Sequence, residues 1–183
     1  MTDRPLILLS NDDGVHARGL RALRAALLPL ARVIVVAPQT EQSASSHALT
    51  LHRPLRHRVV EEDVHSVDGS PADSVYVALY RTDLLPRWPD LVVSGINRGY
   101  NLGTDVYYSG TVAAAREAAL RGVPAMALSL APNGSLQSAV ACARDMVARL
   151  LDAPGREDRT RPALLNVNFP PGESYAGLRA TRI

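Results

Sequence analysis

Lysine is absent from this chain: all 20 of its basic residues are arginine. Without lysine the G-x-x-x-x-G-K-[ST] phosphate loop cannot be completed. Cysteine occurs once, as Cys142, which excludes an internal disulfide and a thiolate metal cluster. Its place in an apolar, helix-like segment suits a small buried filler. No apolar run approaches the ~20 residues that a bilayer helix needs. Met1-Thr2-Asp3-Arg4 lacks the basic-then-apolar pattern of a secretory leader, so a cytoplasmic location with no membrane partner is expected. Also missing are a G-x-G-x-x-G turn for a dinucleotide, a G-x-S-x-G nucleophile elbow, and an H-E-x-x-H metal pair. Aromatic residues make up 4% of the chain and the arginines are scattered, so a nucleic-acid face is not expected. The wholesale use of arginine fits genomic base composition, although arginine also grips phosphate through two parallel hydrogen bonds.

What is present reads as one α/β domain over residues 1–183, long enough for a single large core. The apolar fraction of 46% and charged fraction of 21% are ordinary for a globular protein, and the net charge is only +2. Leu6–Ser10 and Val33–Ala37 are short apolar runs of strand type, separated by Leu20, Leu23, Leu27 and Leu30 at helical spacing. Short β-like pieces follow at Ala48–Leu51, Arg58–Val60 and Val64–Val67. Ser70-Pro71-Ala72-Asp73 is a helix start, with serine as cap, proline in the first turn and an acid three positions on. Leu91–Ser94 is a core strand before a glycine- and asparagine-rich loop, Gly95–Gly110. Thr111–Arg121 is a helix, Met126–Leu130 a strand, Leu136–Leu151 a helix and Leu164–Val167 a last strand. Pro154–Arg161 reads as a charged surface connection. This alternation implies a three-layer, doubly wound, mainly parallel sheet.

Ligands of open parallel sheets bind beyond the carboxyl ends of the strands. Four polar pieces fall there: Asn11-Asp12-Asp13-Gly14, Gln39–Ser43, Gly95-Ile96-Asn97 and Asn166–Asn168. Adjacent aspartates after a buried strand repel unless a cation joins them. Their all-oxygen chemistry suits magnesium, manganese or calcium, with Asp12 and Asp13 supplying charge and Ser43 and Asn97 neutral oxygens. The tetrapeptide alone reads first as a turn with a left-handed glycine, and its position at a strand end within an α/β pattern reverses that preference. Tyr108-Ser109-Gly110-Thr111 opens a helix whose free N–H groups suit a phosphate, with Ser109 and Thr111 as hydroxyl donors; an ordinary serine N-cap explains it as well. Of the five histidines, His47 has the best claim to acid catalysis because it follows Ser43 closely; a surface or strand-face role remains open.

The ordered set Ser10–Gly14, the loop from Ala37-Pro38 to Thr50, Gly69–Asp73, Ser94–Asn97 and Tyr108–Ala114 resembles the SurE family of stationary-phase survival proteins. The resemblance spans nearly the whole chain. It implies a SurE-like, Rossmann-like fold and a metal-dependent nucleotidase acting on nucleoside 5′- and 3′-monophosphates, with some activity on short polyphosphate. One Mn2+ or Mg2+ per subunit is implied, held by Asp12, Asp13, Ser43 and Asn97, with phosphate contacts on Ser109, Gly110 and Thr111 and a candidate substrate contact at Asn11. Asp12 is the residue expected to orient or deprotonate the attacking water. Small departures occur at Ser45-Ser46, Ser70 and Ser74. Family members usually continue well beyond Ile183, so the homodimer or homotetramer that the family implies is expected to be weakened here. Two alternatives stand beside this reading: an aspartyl-nucleophile phosphatase, for which the usual Asp-x-Asp pattern is missing, and a non-catalytic nucleotide-binding or regulatory module.

Overall fold

The computed structural model describes residues 4–153, 160 and 162–181. The elements run β1 (Leu6–Ser10), α1 (Arg18–Leu27), β2 (Arg32–Pro38), β3 (His57–Glu61), β4 (Val64–Val67), α2 (Pro71–Tyr80), β5 (Leu91–Arg98), α3 (Asp105–Tyr108), α4 (Gly110–Leu120), β6 (Ala125–Leu130), α5 (Leu136–Asp152) and β7 (Leu164–Phe169). Seven strands form one sheet in the order β3-β4-β2-β1-β5-β6-β7. Every pairing is parallel except β3 with β4. This is the doubly wound α/β architecture expected from the alternation of elements.

Both faces of the sheet are covered, which is why β1, β2 and β6 are apolar without alternation. Ile7, Leu9, Val33, Val35, Val93 and Leu128 pack under α1 and α5. Leu6, Leu8, Ile34, Val92 and Ala127 pack under α2 and α4. Chain order reverses direction at β1, whose neighbours are β2 on one side and β5 on the other. Crevices at such switch points, beyond the strand carboxyl ends, are where ligands of this architecture sit.

Three local expectations change. Ala48–Leu51 is not a strand. Its polar groups are drawn sideways to the start of α2: Ala48 O accepts from Ser70 Oγ at 2.6 Å, and Thr50 N and Oγ1 donate to Asp73 at 2.8 and 2.7 Å. Gly95–Gly110 is only partly a loop. After a register shift between Ser94 and Asn97, β5 continues to Arg98 against Ser129 and Leu130 of β6, and α3 adds one turn. Leu30 lies beyond α1, which ends at Leu27 shortly before Pro29, a residue with no N–H to continue the helical ladder, yet Leu30 still packs on the core. The connection over Pro154–Arg161 lies, Thr160 apart, outside the described residues, as does Met1–Asp3. Cys142 packs at the margin of the core and is half-buried, short of the fully buried filler expected. Among the described residues no helix is long and apolar enough to cross a membrane.

Candidate functional site

The first turn after β1 is built by Asn11 and Gly14. Asn11 is buried and donates Nδ2 to Gly14 O at 2.9 Å, closing the turn that projects Asp12 and Asp13 from the switch point. Gly14 sits at φ 96°, and a Cβ there would meet Thr40 of the next loop at 3.2 Å, so backbone and neighbour both demand glycine. Val15 N donates to Pro38 O at 2.8 Å and Gln42 N to Asp12 O at 2.7 Å. These bonds fasten the loop after β2 onto the aspartate turn.

On the other side stands the amino terminus of α4. Ser109 caps it, its Oγ accepting from Val112 N at 3.1 Å. Thr111 Oγ1 donates to Asp12 Oδ1, so the threonine hydroxyl is committed to Asp12. Gly110 lies so close that a Cβ would meet Asp12 Cβ at 2.8 Å and Ser45 Oγ and Pro71 Cγ at 2.9 Å. The helix end, the aspartate turn and the Ser43 loop therefore meet at Gly110 with no room for a side chain.

Electrostatics mark the same spot. Asp12 is 5% exposed, and burial raises its pKa above the ordinary carboxylate value against the lowering effect of the Thr111 bond. Asp13 is pushed up to about 6, first by burial and then by the charges of Asp12 and Glu41, with Arg98 pulling the other way. Eight buried side-chain atoms among the described residues lack a hydrogen-bond partner, and five of them are Ser10 Oγ, Asn11 Oδ1, Asp13 Oδ2, Ser45 Oγ and Ser94 Oγ. Orphaned polar atoms are costly and rare. Here they are mostly oxygens of the aspartate turn, of the loop that abuts α4, and of the paired strand positions Ser10 and Ser94 beneath.

Such a donor set fits a hard divalent cation. No group of three or more His, Cys, Asp or Glu among the described residues is arranged to hold a metal, so a cation here must rely on two carboxylates and neutral oxygens. Asn97, at the end of β5, donates Nδ2 to Gly99 O at 3.0 Å, a bond that does not engage its Oδ1. Ser43 is exposed and donates to Glu41 Oε1 at 2.6 Å, so it is the expected ligand that another carboxylate holds.

Asn166 and Asn168 do something different from the expected site role. Both donate Nδ2 to Asn101 O, and Asn168 Oδ1 accepts from Asn101 N, so they anchor the segment between β5 and α4. Asn101 itself escaped the sequence reading, as did Glu41 and Arg98. Glu41 lies inside the Gln39–Ser43 piece and Arg98 directly follows Asn97, so strand-end position was the available signal for both. A separate cavity of about 250 Å3 lies along α1, lined by Val15, Leu20, Leu28, Val60 and Val64 among others. The one carboxylate lining it, Glu61, is paired with Arg24 at 2.7 Å, so that hollow has no open anionic chemistry.

An open, doubly wound α/β domain with a carboxylate turn at its switch point, faced by a helix amino terminus, belongs to the ligand-binding class of such sheets. The family model described as "Survival protein SurE" matches residues 7–183, and the chain belongs to the SurE family. It is 56% identical over 181 residues to a protein of Sorangium cellulosum named 5′-nucleotidase SurE, covering 98% of this chain and 70% of that one. A protein of the same name from Desulforudis audaxviator is 49% identical, with 97% and 70% covered. The crystal structure of the SurE protein from Aquifex aeolicus superposes with a TM-score of 0.81 at 42% identity, covering 91% of this chain and 66% of that one. This chain thus spans about two thirds of the length of these relatives.

Proposed function

We propose that this chain is a divalent-metal-dependent phosphomonoesterase that hydrolyses nucleoside 5′- and 3′-monophosphates, with short polyphosphate as a further substrate class. A nucleotidase is what relatives about 50% identical over nearly the whole chain are named. The observation that carries the finer reading is the opposition of Asp12 and Asp13 to the amino terminus of α4, with Asp13 Oδ2 buried and unpartnered. Asp12, Asp13, Asn97 and Ser43 would hold one Mn2+ or Mg2+. When bound, such a cation acidifies a coordinated water and offsets charge on phosphoryl oxygens.

The remaining work falls to the chain itself. The N–H groups of the first turn of α4 and the Ser109 hydroxyl hold the phosphoryl group by charge-assisted bonds. Asn11 is the further substrate contact, its unpaired Oδ1 open to accept from a hydroxyl of the nucleoside. Asp12, placed by Thr111, aims the attacking water and accepts its proton. The reading extends to a cytoplasmic enzyme assembled as a homodimer or homotetramer. Its test is turnover of a chromogenic phosphate ester and of a panel of 5′- and 3′-monophosphates, with Mn2+, with Mg2+ and with chelator. Metal-dependent release of phosphate from the monophosphates supports it; no turnover with either metal refutes it.

A further inference from the structure

Glu117 is a buried carboxylate that the reaction just described does not use. It lies on α4 at 1% exposure, where an ionised acid is tolerated only when paired. Both of its oxygens are engaged. Oε1 accepts from Arg121 Nε at 2.8 Å, and Oε2 accepts from His47 Nε2 at 2.7 Å. The Arg121 guanidinium in turn lies over the rings of Tyr76 and Tyr80 of α2, 5.3 and 5.7 Å from their centroids. A continuous chain of contacts therefore runs from α2 through Arg121 and Glu117 to His47.

His47 belongs to the loop that carries Ser43, and that loop is held in an unfavourable shape. Ala44 and Ser46 have φ of 55° and 54°, a left-handed conformation disfavoured for residues with a Cβ. Strain of this kind persists only where surrounding bonds over-determine it. The bonds are present on both sides. Gln42 N reaches Asp12 O, and Ser46 donates N to Tyr108 O at 3.0 Å and Oγ to Tyr107 O at 2.9 Å. Ser45 lies against Gly110. Of these fastenings, only the one at His47 ends on a fully buried charge.

We propose that Glu117 is a positioning residue: through its bond to His47 it holds the strained Ser43–Ser46 loop against Asp12 and the first turn of α4, and so keeps the metal and phosphate sites assembled. This rests on the reading of the site as a metal-dependent phosphatase. It makes His47 the latch of the loop, a role distinct from acid catalysis. The Nε2 atom makes the bond, so a glutamine amide at position 47, of similar reach, serves in its place, whereas alanine does not.

The test uses the full chain with His47→Ala, His47→Gln and Glu117→Gln. Hydrogen exchange of amides 42–48 reads the latch without catalysis, calorimetric titration with Mn2+ reads the site, and kcat and KM are measured on one nucleoside monophosphate. In His47→Ala, exchange over 42–48 is expected to speed up and Mn2+ affinity to fall at least about tenfold, the scale seen when supports of metal ligands are removed. His47→Gln is expected to restore both to within about threefold, on that same scale. Glu117→Gln, which keeps the volume, is expected to fall between the two. The proposal is overturned if His47→Ala leaves exchange unchanged. It is equally overturned if exchange rises while Mn2+ affinity and KM stay at the wild-type values, since the pair is then structural only. Should wild type bind no Mn2+ and turn over nothing, the phosphatase reading falls, and the exchange arm still decides the latch.

Discussion

The two helical layers of this molecule use opposite materials. On one face of the sheet, α1 buries Leu20, Leu23 and Leu27, and α5 buries Ala139, Ala143, Val147 and Leu151, with no buried polar residue in either. On the other face, the capped helices α2 and α4 bury Ser70, Asp73, Ser74, Ser109, Thr111 and Glu117 among small apolar residues. The first layer is a scaffold that hydrophobic burial alone can assemble. In the second, each polar group needs a partner: Thr111 finds it in the aspartate turn, Ser70, Asp73 and Glu117 in the loop after β2, and Ser74 and Ser109 within their own helices. The candidate site adjoins the layer whose core is hardest to satisfy.

The sharpest way to separate the layers is to change the site and leave the scaffold alone. Asp13→Asn is expected to lower metal-dependent turnover by at least about 1,000-fold, about 4 kcal/mol of lost barrier reduction. It should also remove the rise in melting temperature that Mn2+ gives the wild type. Retention of that rise would show that the cation binds elsewhere. The reverse experiment is Leu23→Ala on α1. A fully buried leucine truncated to alanine costs about 2–5 kcal/mol of stability through lost burial and a residual cavity. Turnover per folded molecule should stay within about twofold, because on this account the scaffold layer contributes no reacting group. A large loss of kcat would erase the distinction between the layers.

A smaller effect tests the site without any substrate. Asp13 has its folded pKa raised from 3.8 to about 6, so the folded chain binds the proton more tightly than the unfolded chain does. Its contribution is therefore present below about pH 4 and is lost as pH rises through 6. In metal-free protein this amounts to about 1–2 kcal/mol once solvent screening of a half-buried carboxylate is counted. Chemical denaturation from pH 4 to pH 7.5 should show that decline in wild type and a flatter profile in Asp13→Asn. Identical profiles would contradict the assignment of the strain to this carboxylate.

The smallest effect compares like with like. Ser109 caps α4 and Ser135 caps α5 by the same bond, at 3.1 and 3.3 Å. Alanine at either position should cost about 1 kcal/mol of stability. Only Ser109→Ala should also weaken competitive inhibition by inorganic phosphate, by about threefold to tenfold for one lost hydrogen bond to a charged group. Equal phosphate inhibition in both variants would reduce Ser109 to a cap.

The layers also differ in how they can be read from sequence. The leucines of α1 announce themselves by spacing, because one face of that helix is wet. Helix α4 is buried nearly all round and α2 exposes only Tyr76 and Tyr80, so both carry little periodicity; α2 was legible through its capping box, Ser70 with Asp73, which the structure forms in full. The aspartate turn was legible as charge placed after a buried strand. The latch was not. Glu117 and His47 are 70 residues apart, and nothing local in AAAREAAL or SSHALT announces the bond between them. The failure at Ala48–Leu51 has the same cause. Its β-like composition was real, but Asp73 and Ser70, distant in sequence, took the backbone groups a ladder would have used.

The central claim is that Asp12, Asp13, Ser43 and Asn97 converge on one divalent cation beside the amino terminus of α4. Anomalous diffraction from crystals of this chain grown with Mn2+ and inorganic phosphate tests it most directly. The account predicts one manganese peak within bonding distance of both aspartates, with Asn97 Oδ1 and Ser43 Oγ turned toward it and phosphate against the first turn of α4. Manganese bound away from Asp12 and Asp13, in protein that still hydrolyses nucleoside monophosphates, would contradict it.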